Sequence, residues 1–406
     1  MRIILNITSS IHGGAGEAAI RIASYLNSNN FKSEIYTKEH STPWAKINYP
    51  KTISQKIKLK LYTNQLKHIK KKYSHFEHIS LGKPKYPLVI KNDIEVLHLH
   101  WISDLIDFKA NIEKLKKSTK IVWTLHDFNP ITGGCHYIHG CDKYNMECQL
   151  CPQINTKKKY DIIKEVFENK VEFFNEFDIH LVCTSSYMYK HVQKSTLGKL
   201  AKSISVIPLS INQSNFHILK NKGGIREQLN IPLDKLVLGI GASNINRDIK
   251  GINDFLNRIE RSIFKDKIHI ISFGMPNLTI TNHDYYTHLS QINSPILLNL
   301  FYSSCDYYLS FSKEEAFGQT IIEALCCGSP VISTRVGCAE DVIKEGQNGF
   351  FIENTQESVD TILLEAIKNK GNFNSENIRK SVLDYCDWEK IAQKYNNLYQ
   401  EILKNN

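Results

Sequence analysis

Short apolar runs of strand length recur along this chain, with helix-like segments between them. Strands separated by helices pair in parallel and bury both faces of their sheet. The chain has 406 residues, more than one hydrophobic core organises, and the pattern restarts near Leu236 after the polar stretch 212–224. The sequence therefore predicts an α/β protein with two domains, residues 1–212 and 213–385, followed by an amphipathic helix in residues 386–406. The predicted strands are Ile3–Thr8, Glu34–Thr37, Val96–His100, Ile121–Leu125, His180–Thr184, Ile204–Ile207, Leu236–Gly241, Ile268–Phe273, Tyr307–Phe311 and Val331–Ser333.

Composition excludes several classes of protein. With 42% hydrophobic and 23% charged residues the chain is ordinary globular protein, and no apolar run reaches the roughly 18 residues of a membrane span. Residues Met1–Thr8 indicate a first strand and not a signal peptide, so we expect a cytoplasmic protein. Cys183, Cys305, Cys326 and Cys327 lie in or beside apolar runs, as small core residues do.

Much of the net charge of +10 lies between Lys51 and Lys72, where lysines alternate with isoleucines and leucines. The pattern is typical of a basic amphipathic helix, which can lie on an anionic membrane surface. A solvated surface helix explains it equally well. No zinc-finger, RRM or KH pattern accompanies the charge, so nucleic acid is not an expected partner.

Two carboxylates, Glu315 and Glu323, lie between the predicted strands of residues 307–333. Glu315 is in a loop and Glu323 is in the following helix, about 80° away around the axis at 3.6 residues per turn. One extended ligand could therefore touch both. The helix begins near Phe317 and Gly318, where free backbone N–H groups suit a phosphate. Polar residues between two buried strands indicate a binding site at the carboxyl ends of the strands.

This stretch resembles the signature of the family-4 retaining glycosyltransferases, which have the GT-B fold. The residues that carry the resemblance are Glu315, Phe317-Gly318, Glu323, Gly328-Ser-Pro-Val, Gly337-x-x-Glu340 and Asn348-Gly349-Phe-Phe. The resemblance implies two Rossmann-like domains whose parallel sheets face a central cleft, with a C-terminal helix that crosses back to the N-terminal domain. It also implies that Glu315 contacts the sugar of a nucleotide-sugar donor, that Glu323 holds its ribose, and that Phe317 and Gly318 belong to the donor site.

The resemblance further implies cations and a glycine loop at the donor. Lys250, in a Lys-Gly pair that opens a helix, would stabilise the negative charge that grows on a departing nucleoside diphosphate. The family often has an arginine soon after the preceding strand, where this chain has Ala242-Ser-Asn244, and Arg247 is the substitute. A glycine-rich turn after the first strand matches the loop whose backbone approaches the donor phosphates and the acceptor. Its glycines are Gly13, Gly14 and Gly16.

Polar side chains end two neighbouring strands of the first domain. His100 and Trp101 follow one strand, and His126 and Asp127 follow the next. Parallel strands would bring them together at one edge of the sheet. The resemblance points to His126 as the histidine near the donor sugar and the acceptor, with His100 and Trp101 as further acceptor contacts. Asp127 would orient the imidazole or meet the acceptor.

The predicted catalytic residues are therefore His126, Asp127, Glu315 and Lys250. A double displacement would need a carboxylate beneath the anomeric carbon, and Asp127 is a candidate. The resemblance instead implies a same-face mechanism, in which the departing phosphate helps to deprotonate the acceptor. No Asp-x-Asp triplet occurs in the chain, so we expect no catalytic divalent cation.

Residues 133–152 form a cysteine-rich insertion after His126. Cys148 and Cys151 have metal-ligand spacing, whereas Cys135 and Cys141 are spaced more loosely. The four thiols predict either a structural zinc site or reduced cysteines that pack a loop. The insertion resembles one in a subset of family-4 transferases linked to bacterial polysaccharides, and its position suggests that it shapes the acceptor pocket.

Taken together, these features predict a metal-independent retaining hexosyltransferase. It would use a UDP- or GDP-linked sugar and extend a lipid-linked glycan for a surface polysaccharide such as O-antigen, lipopolysaccharide or capsule, at the cytoplasmic face of the inner membrane. Two alternatives remain open. One is a sugar-nucleotide epimerase of the same fold, which would need no acceptor, and the other is a non-catalytic nucleotide-sugar-binding protein.

Overall fold

The computed structural model divides into two compact units. It describes residues 2–38 except 12 and 30, then 43, 45–47, 52–54, 56, 57, 60, 61, 64, 88–90, 94–108 except 104 and 107, 115–154, 161–275 and 285–404. Unit 1 comprises residues Met1–Thr184, Met188–Ile207 and Ala392–Asn406, and unit 2 comprises Ser185–Tyr187 and Pro208–Ile391.

Unit 1 is built on a parallel sheet. Its strands are β1 (Arg2–Ile7), β2 (Phe31–Tyr36), β5 (Val96–Leu99), β6 (Lys120–Leu125), β7 (Ile179–Cys183) and β8 (Ser203–Val206). They lie in the order β2-β1-β5-β6-β7-β8. A separate antiparallel pair consists of β3 (Ala45–Ile47) and β4 (Leu88–Ile90).

The central strands of this sheet are buried on both faces, which explains their almost continuous apolar sequence. Trp123 in β6 is completely buried. His98 and Thr124 are polar exceptions in these strands, and both are fully buried. Buried polar side chains require hydrogen-bond partners, so these two residues point to a structured polar network.

Helices cover the sheet of unit 1. They are α1 (Gly14–Asn27), α2 (Ile162–Glu176), α3 (Ser186–Lys194), α4 (Thr196–Leu200) and the last helix of the chain, α12 (Trp388–Lys404). Helix α12 begins in unit 2 and continues in unit 1, where Tyr395 and Tyr399 are buried. Tyr399 packs near Phe31 of β2, with 6.3 Å between the ring centres. The predicted return of the C-terminal helix to the first domain is confirmed.

Unit 2 contains a second parallel sheet. Its strands are β9 (Leu236–Asn244), β10 (Ile268–Met275), β11 (Tyr286–His288), β12 (Tyr307–Ser310), β13 (Val331–Ser333) and β14 (Gly349–Phe351). They lie in the order β11-β10-β9-β12-β13-β14. Because β9 and β12 are neighbours, the loops after their carboxyl ends lie at the same edge.

The helices of unit 2 bury apolar side chains. They are α5 (Lys222–Gln228), α6 (Ile252–Ile259), α7 (Pro295–Ser304), α8 (Gln319–Cys326), α9 (Ala339–Val342), α10 (Gln356–Lys368) and α11 (Ser375–Cys386). In α6, Ile252, Phe255, Leu256 and Ile259 follow helical spacing and are buried in one core with residues of β9 and β12.

The predicted α/β class with two parallel sheets is confirmed. No helix of the described residues has the length and apolar character that a membrane crossing requires. Most of the predicted basic helix, Lys51–Lys72, lies outside the described residues. The part that is described is exposed and includes Ile53, Ile57 and Leu61.

Candidate functional site

Lys250 and Glu315 form an ion pair at the carboxyl edge of the unit 2 sheet. Lys250 follows β9 and Glu315 follows β12, so the neighbouring strands bring together two residues that are 65 positions apart. The Ser312 hydroxyl donates a further hydrogen bond to the same carboxylate oxygen, at 3.1 Å. Both charged side chains are mostly buried, which strengthens their attraction.

Gly251 allows the chain to turn from Lys250 into α6. Its φ of +64° is left-handed, and a Cβ there would collide with the carbonyl oxygen of Phe311 in the loop that carries Glu315. Lys313 also donates its backbone N–H to the Ile249 carbonyl, at 2.8 Å. Gly251 is therefore a requirement of the close approach between the two loops.

Gly251→Ala should lower the free energy of unfolding by about 2 kcal/mol or more, because a left-handed alanine costs about 1–2 kcal/mol before any collision. Chemical denaturation measures the effect. Gly223→Ala is the matched control, since Gly223 lies in α5 with open space around its Cα and no positive φ. That control should be neutral or slightly stabilising, and equal effects of the two substitutions would contradict the explanation.

Glu323 lies in α8, and its side chain is buried. The Tyr302 hydroxyl of α7 donates a hydrogen bond to its Oε2 atom, at 2.7 Å. Burial, together with the neighbouring Glu323 carboxylate, raises the pKa of Tyr302 well above its ordinary value, so the phenol keeps its proton and remains a donor. Tyr302 therefore fixes the orientation of Glu323.

Arg247 adds a second cation after β9. Its Nε atom is buried and has no hydrogen-bond partner among the described residues. A buried guanidinium N–H without a partner is costly unless a ligand supplies an acceptor. The same loop contains Asp248, which pairs with Lys313 at 2.9 Å.

The loop before α8 has a fixed shape. The Phe317 carbonyl accepts a 2.6 Å hydrogen bond from the Cys338 backbone N–H, and a Cβ on Gly337 would collide with that carbonyl. The Phe317 ring lies parallel to the ring of Tyr385. Gly318, with φ of +86°, begins α8. The N-terminus of α8 thus follows a rigid loop that carries Glu315.

The glycine turn of unit 1 begins a helix in the same way. Gly13 has φ of +81° and precedes α1, whose first residue is Gly14. A Cβ on Gly16 would collide with the backbone of Ser10 and Ile11. Gly16 therefore has a packing role, whether or not a ligand binds at this turn.

Three histidines meet at the carboxyl edge of the unit 1 sheet. His100 Nδ1 lies 3.2 Å from His126 Nε2, and His100 Nε2 lies 3.5 Å from the side-chain oxygen of Asn6. The Asn6 amide donates to Ser33, which fixes its oxygen toward His100. His100 Nε2–H therefore donates to Asn6, and His100 Nδ1 accepts from His126 Nε2–H. This leaves the lone pair of His126 on Nδ1.

Two tyrosines of helix α12 belong to the hydrogen-bond network of this cluster. The Tyr399 hydroxyl shares a 2.6 Å hydrogen bond with His98 Nδ1, and His98 Nε2 shares one of 2.8 Å with Thr124. Thr124 in turn shares a 2.9 Å hydrogen bond with the Tyr395 hydroxyl. Helix α12 thus contributes directly to the hydrogen-bond network that includes His98 and Thr124.

Burial keeps the cluster neutral. It lowers the pKa of His98 to about 3 and that of His126 to about 4, although the Asp127 charge raises the latter. Burial also lowers the pKa of His100 well below its ordinary value. His126 therefore offers a neutral imidazole at physiological pH.

The free energy of unfolding should fall as pH drops from about 6.5 toward 4. Unfolded histidines bind protons with pKa near 6.5, whereas the folded cluster does not, so acid favours the unfolded chain. Each such histidine contributes a slope of about 1.4 kcal/mol per pH unit. Urea denaturation at pH 7.0 and pH 5.0 measures it, with His98→Gln as the variant that removes one histidine's share. If the free energy of unfolding depends on pH equally in wild type and in His98→Gln, the interpretation is contradicted.

Asp127 makes its hydrogen bonds away from His126. Its carboxylate accepts from the Trp101 indole N–H at 2.9 Å and from the Asn129 backbone N–H at 2.7 Å, and it pairs with His136 at 2.6 Å. Burial alone would raise the pKa of Asp127, but the charge and hydrogen bond of His136 and the hydrogen bond from the Asn129 backbone lower it. In the described part of the chain, Asp127 therefore orients His136, and the bond partner of His126 is His100.

The cysteine-rich insertion packs as a buried loop. Cys135, Cys148 and Cys151 are buried and Cys141 is partly exposed. Cys135 donates a hydrogen bond to Cys151, which lowers the pKa of Cys151 to about 7 and raises that of Cys135. Among the described residues no three cysteine, histidine or acidic side chains are arranged to hold a metal ion. The structure gives the zinc hypothesis no support, and a zinc site stays a prediction.

Sequence reasoning missed two partners of the predicted residues. Tyr302 lies among apolar residues of α7, so the sequence gives no sign that its hydroxyl contacts Glu323. His136 lies in the insertion, and its distance in sequence from Asp127 matches no known motif. Neither contact follows from a local pattern, because each depends on how separate elements pack.

A family model and several known proteins match this chain. Residues 286–381 match the family "Glycosyl transferases group 1". WcaC of Escherichia coli K12, which carries the name of a colanic acid biosynthesis glycosyl transferase, is 26% identical over 259 residues, or 62% of this chain and 61% of that protein. The N-acetyl-alpha-D-glucosaminyl L-malate synthase of Bacillus anthracis is 35% identical over 106 residues, or 24% of this chain and 27% of that protein. The matched region thus spans less than two thirds of the length of either relative.

Solved structures share the whole fold. Sucrose-phosphate synthase from Thermosynechococcus elongatus superposes with a TM-score of 0.66 over 100% of both chains, at 15% identity. HepE of Anabaena, solved in complex with UDP-glucose, gives a TM-score of 0.60 over 99% of this chain and 100% of that one, also at 15% identity. At such low identity the likeness concerns the fold.

Proposed function

We propose that this protein is a retaining, metal-independent glycosyltransferase, because residues 286–381 match the glycosyl transferases group 1 family and the chain has the GT-B fold. It transfers a hexose from a UDP- or GDP-linked donor to a lipid-linked glycan of a surface polysaccharide. The observation that carries the proposal is the Lys250–Glu315 pair. On the loop that carries Lys250, the buried Nε of Arg247 has no hydrogen-bond partner among the described residues.

Unit 2 binds the donor in this proposal. Lys250 and Arg247 contact the diphosphate, and Glu315 accepts hydrogen bonds from the hydroxyls of the sugar. Glu323, oriented by Tyr302, accepts hydrogen bonds from the ribose hydroxyls. The backbone N–H groups that follow Gly318 at the start of α8 suit a phosphate, because α8 begins with its first amides unbonded within the helix.

Positive charge replaces a divalent cation at the leaving group. When the bond between the anomeric carbon and the phosphate oxygen breaks, negative charge grows on the diphosphate. A lysine held in a mostly buried ion pair is already oriented, so its stabilisation of that charge needs little reorganisation. Glu315 holds the lysine in this position before the donor arrives.

Unit 1 binds the acceptor. Trp101 is 39% exposed and offers an aromatic face on which a sugar ring can stack. His126 presents a neutral imidazole with its lone pair on Nδ1, suited to accept a hydrogen bond from a sugar hydroxyl. The buried network through His98 and α12 keeps this imidazole in place.

A lipid-linked acceptor is supported by two observations. WcaC carries the name of a polysaccharide biosynthesis enzyme, and the described part of the basic segment exposes apolar side chains at helical spacing. Ile53 is 78% exposed, Ile57 54% and Leu61 62%. Exposed apolar residues beside lysines allow a helix to lie on an anionic membrane surface.

Vesicle binding tests the membrane part of the proposal. Replacing Ile53, Ile57 and Leu61 by serine should weaken cosedimentation with vesicles rich in phosphatidylglycerol about tenfold or more, because burial of each such side chain contributes about 1.5–3 kcal/mol. Ile263→Ser, at an 84% exposed position of unit 2, is the matched control. If the triple variant binds as wild type does, this segment is not the membrane contact.

Sugar transfer to lipid separates this function from its alternatives. Purified protein is incubated with radiolabelled UDP- and GDP-sugars and a bacterial lipid extract that contains polyprenyl-diphosphate glycans. A glycosyltransferase moves label into the organic phase. An epimerase converts the sugar of the donor without lipid, and a binding protein retains donor without releasing nucleotide. Either of those outcomes would replace the proposal.

A further inference from the structure

Asp127 is the centre of a polar cluster in unit 1, which we call the Asp127 cluster and which consists of Trp101, Ser103, His126, Asp127 and His136. Asp127 Oδ2 lies 2.9 Å from the Trp101 indole nitrogen and 2.6 Å from His136 Nδ1. His136 Nε2 lies 3.3 Å from the Ser103 hydroxyl, and the ring centres of Trp101 and His136 are 5.9 Å apart. None of the roles proposed above uses His136.

The ring N–H groups of this cluster are used within unit 1. The Trp101 indole N–H donates to Asp127. Burial would raise the pKa of Asp127, but His136 lowers it below its ordinary value, so the carboxylate is ionised and can only accept. His136 therefore carries its hydrogen on Nδ1 and donates it to Asp127. His126 donates its Nε2–H to His100.

The cluster consequently offers lone pairs to a ligand. His136 Nε2 accepts from the Ser103 hydroxyl at 3.3 Å, which is longer than usual for a hydroxyl donor, so a hydroxyl of a ligand can replace that of Ser103. Burial lowers the pKa of His126 to about 4, so this imidazole is neutral and keeps its lone pair on Nδ1. Asp127 adds a negative charge. A sugar hydroxyl can donate to these atoms, whereas a carboxylate or a phosphate would meet lone pairs and a like charge.

The positive charge of Lys170 does not change this balance of donors and acceptors. Its charge and that of Asp127 act on each other, but the lysine side chain is completely buried. Its ammonium donates to the carbonyl oxygens of Asn129 and Thr132, the latter at 2.9 Å. Lys170 therefore holds the loop that follows Asp127, and its hydrogens are used there.

Trp101 supplies the apolar part of the cluster. Its side chain is 39% exposed, and the hydrogen bond to Asp127 fixes the plane of the indole. The C–H face of a pyranose can stack on such a ring while the hydroxyls at its rim reach neighbouring acceptors. An aromatic surface beside lone pairs suits an uncharged sugar.

We propose that the part of the acceptor that binds unit 1 is an uncharged pyranose, and that His136 selects it against uronic acids and sugar phosphates. Asp127 is the positioning residue, because its carboxylate determines which nitrogen of His136 carries the hydrogen. The inference rests on the proposed function and deepens it by naming the class of acceptor. It concerns the residues of unit 1 alone.

Binding of methyl glycosides to the full-length protein, without donor, tests the inference. Saturation-transfer NMR measures the Kd of the methyl glycosides of glucose, galactose, mannose and N-acetylglucosamine, each beside the methyl glycoside of its uronic acid. The two members of a pair differ only at C6, where a carboxylate replaces the hydroxymethyl group. We expect at least one neutral glycoside to bind and its uronate to bind about tenfold more weakly. Equal or tighter binding of the uronates, or no binding of any neutral glycoside, would overturn the inference.

Asp127→Asn tests the cause of this preference. The amide can donate to His136 Nδ1, so the ring can carry its hydrogen on Nε2, and the negative charge is lost. The preference for the neutral glycoside should fall to about threefold or less, while its Kd stays within about threefold of wild type. A preference as large as in wild type would contradict the role of Asp127. His136→Gln presents both a donor and an acceptor, and it should reduce the preference in the same way if Asp127→Asn does not fold.

His136→Ala separates selection from folding. It should weaken binding of the neutral glycoside about fivefold to tenfold and leave binding of the uronate unchanged, because only the neutral sugar donates to Nε2. His139→Asn is the matched control, since His139 is exposed in the same insertion and asparagine tolerates its φ of +49°. The control should keep both affinities. Equal losses for the two sugars in His136→Ala would mean that His136 only supports the fold, and the inference would fail.

Nucleotide release from sugar donors, measured on the same preparations, distinguishes this inference from the proposed function. If donors react but the glycosides bind without the expected preference, the inference fails and the transferase remains. If the preference is observed but no donor binds or reacts, the proposed function fails and the Asp127 cluster is a sugar-binding site of another kind of protein.

Discussion

Glu315→Gln is expected to lower kcat/KM for sugar transfer or donor hydrolysis about 100- to 1,000-fold. The amide keeps the size of the side chain but loses the charge that holds Lys250. In the proposed function the same charge accepts hydrogen bonds from the sugar hydroxyls. Interactions that strengthen in the transition state have effects of this size when they are removed. Nucleotide affinity should change much less, because Lys250 and Glu323 remain.

Glu345→Gln is the control for this experiment. Glu345 is an exposed glutamate of the same unit and pairs with Arg335 at 3.6 Å. Its substitution removes one negative charge without touching the loop after β12, so turnover should stay within about twofold of wild type. Equal losses in the two variants would show that net charge, and not the position of Glu315, is responsible.

Lys250→Met should reduce turnover by a similar factor and should also weaken nucleoside diphosphate binding. Methionine keeps much of the length of the side chain and removes the positive charge that, in the proposed function, stabilises the leaving group. It also leaves Glu315 without its cation in a mostly buried position, so the free energy of unfolding should fall by about 1–3 kcal/mol. Steady-state kinetics, nucleotide titration and urea denaturation measure the three effects.

A double-mutant cycle isolates the contribution of the pair. The variant with both Lys250→Met and Glu315→Gln should be more stable than the sum of the single effects predicts, by about 1–2 kcal/mol, because no unpaired charge remains. Lys313→Met is the control, since Lys313 pairs with Asp248 and Asp254 at the same edge but not with Glu315. Additive stabilities in the cycle, or nucleotide affinity lost equally in Lys313→Met, would contradict the role given to Lys250.

The sequence predicted the strands and the helix around Glu315 closely. The expected strand Val331–Ser333 is observed at those residues, and the helix expected to begin near Phe317 and Gly318 is observed as α8, which begins at Gln319. These elements are buried, so apolar periodicity reports them directly. The short strand β14 was not predicted, because Gly349–Phe351 contains a glycine and is only three residues long.

Contacts between distant residues divide into two kinds. The approach of His100 to His126 was expected, since parallel strands send the residues that follow them to the same edge of a sheet. The contacts of Asp127 with His136 and of Glu323 with Tyr302 could not be predicted, because they depend on the path of an insertion and on the packing of a helix. Asp127 was expected to orient His126 or to meet the acceptor, and in the described residues its carboxylate bonds to Trp101, Asn129 and His136.

The most direct test of the central claim is to measure nucleotide release by purified wild-type protein in the presence of a metal chelator. The donors are a panel of UDP-, GDP- and ADP-linked sugars. We predict slow release of the nucleoside diphosphate from one of these donors, at the same rate with and without chelator. Tight binding of a donor without release of its nucleotide would instead indicate a non-catalytic binding protein. If no donor binds or reacts, even with the lipid extract present, the protein is not a nucleotide-sugar-dependent glycosyltransferase.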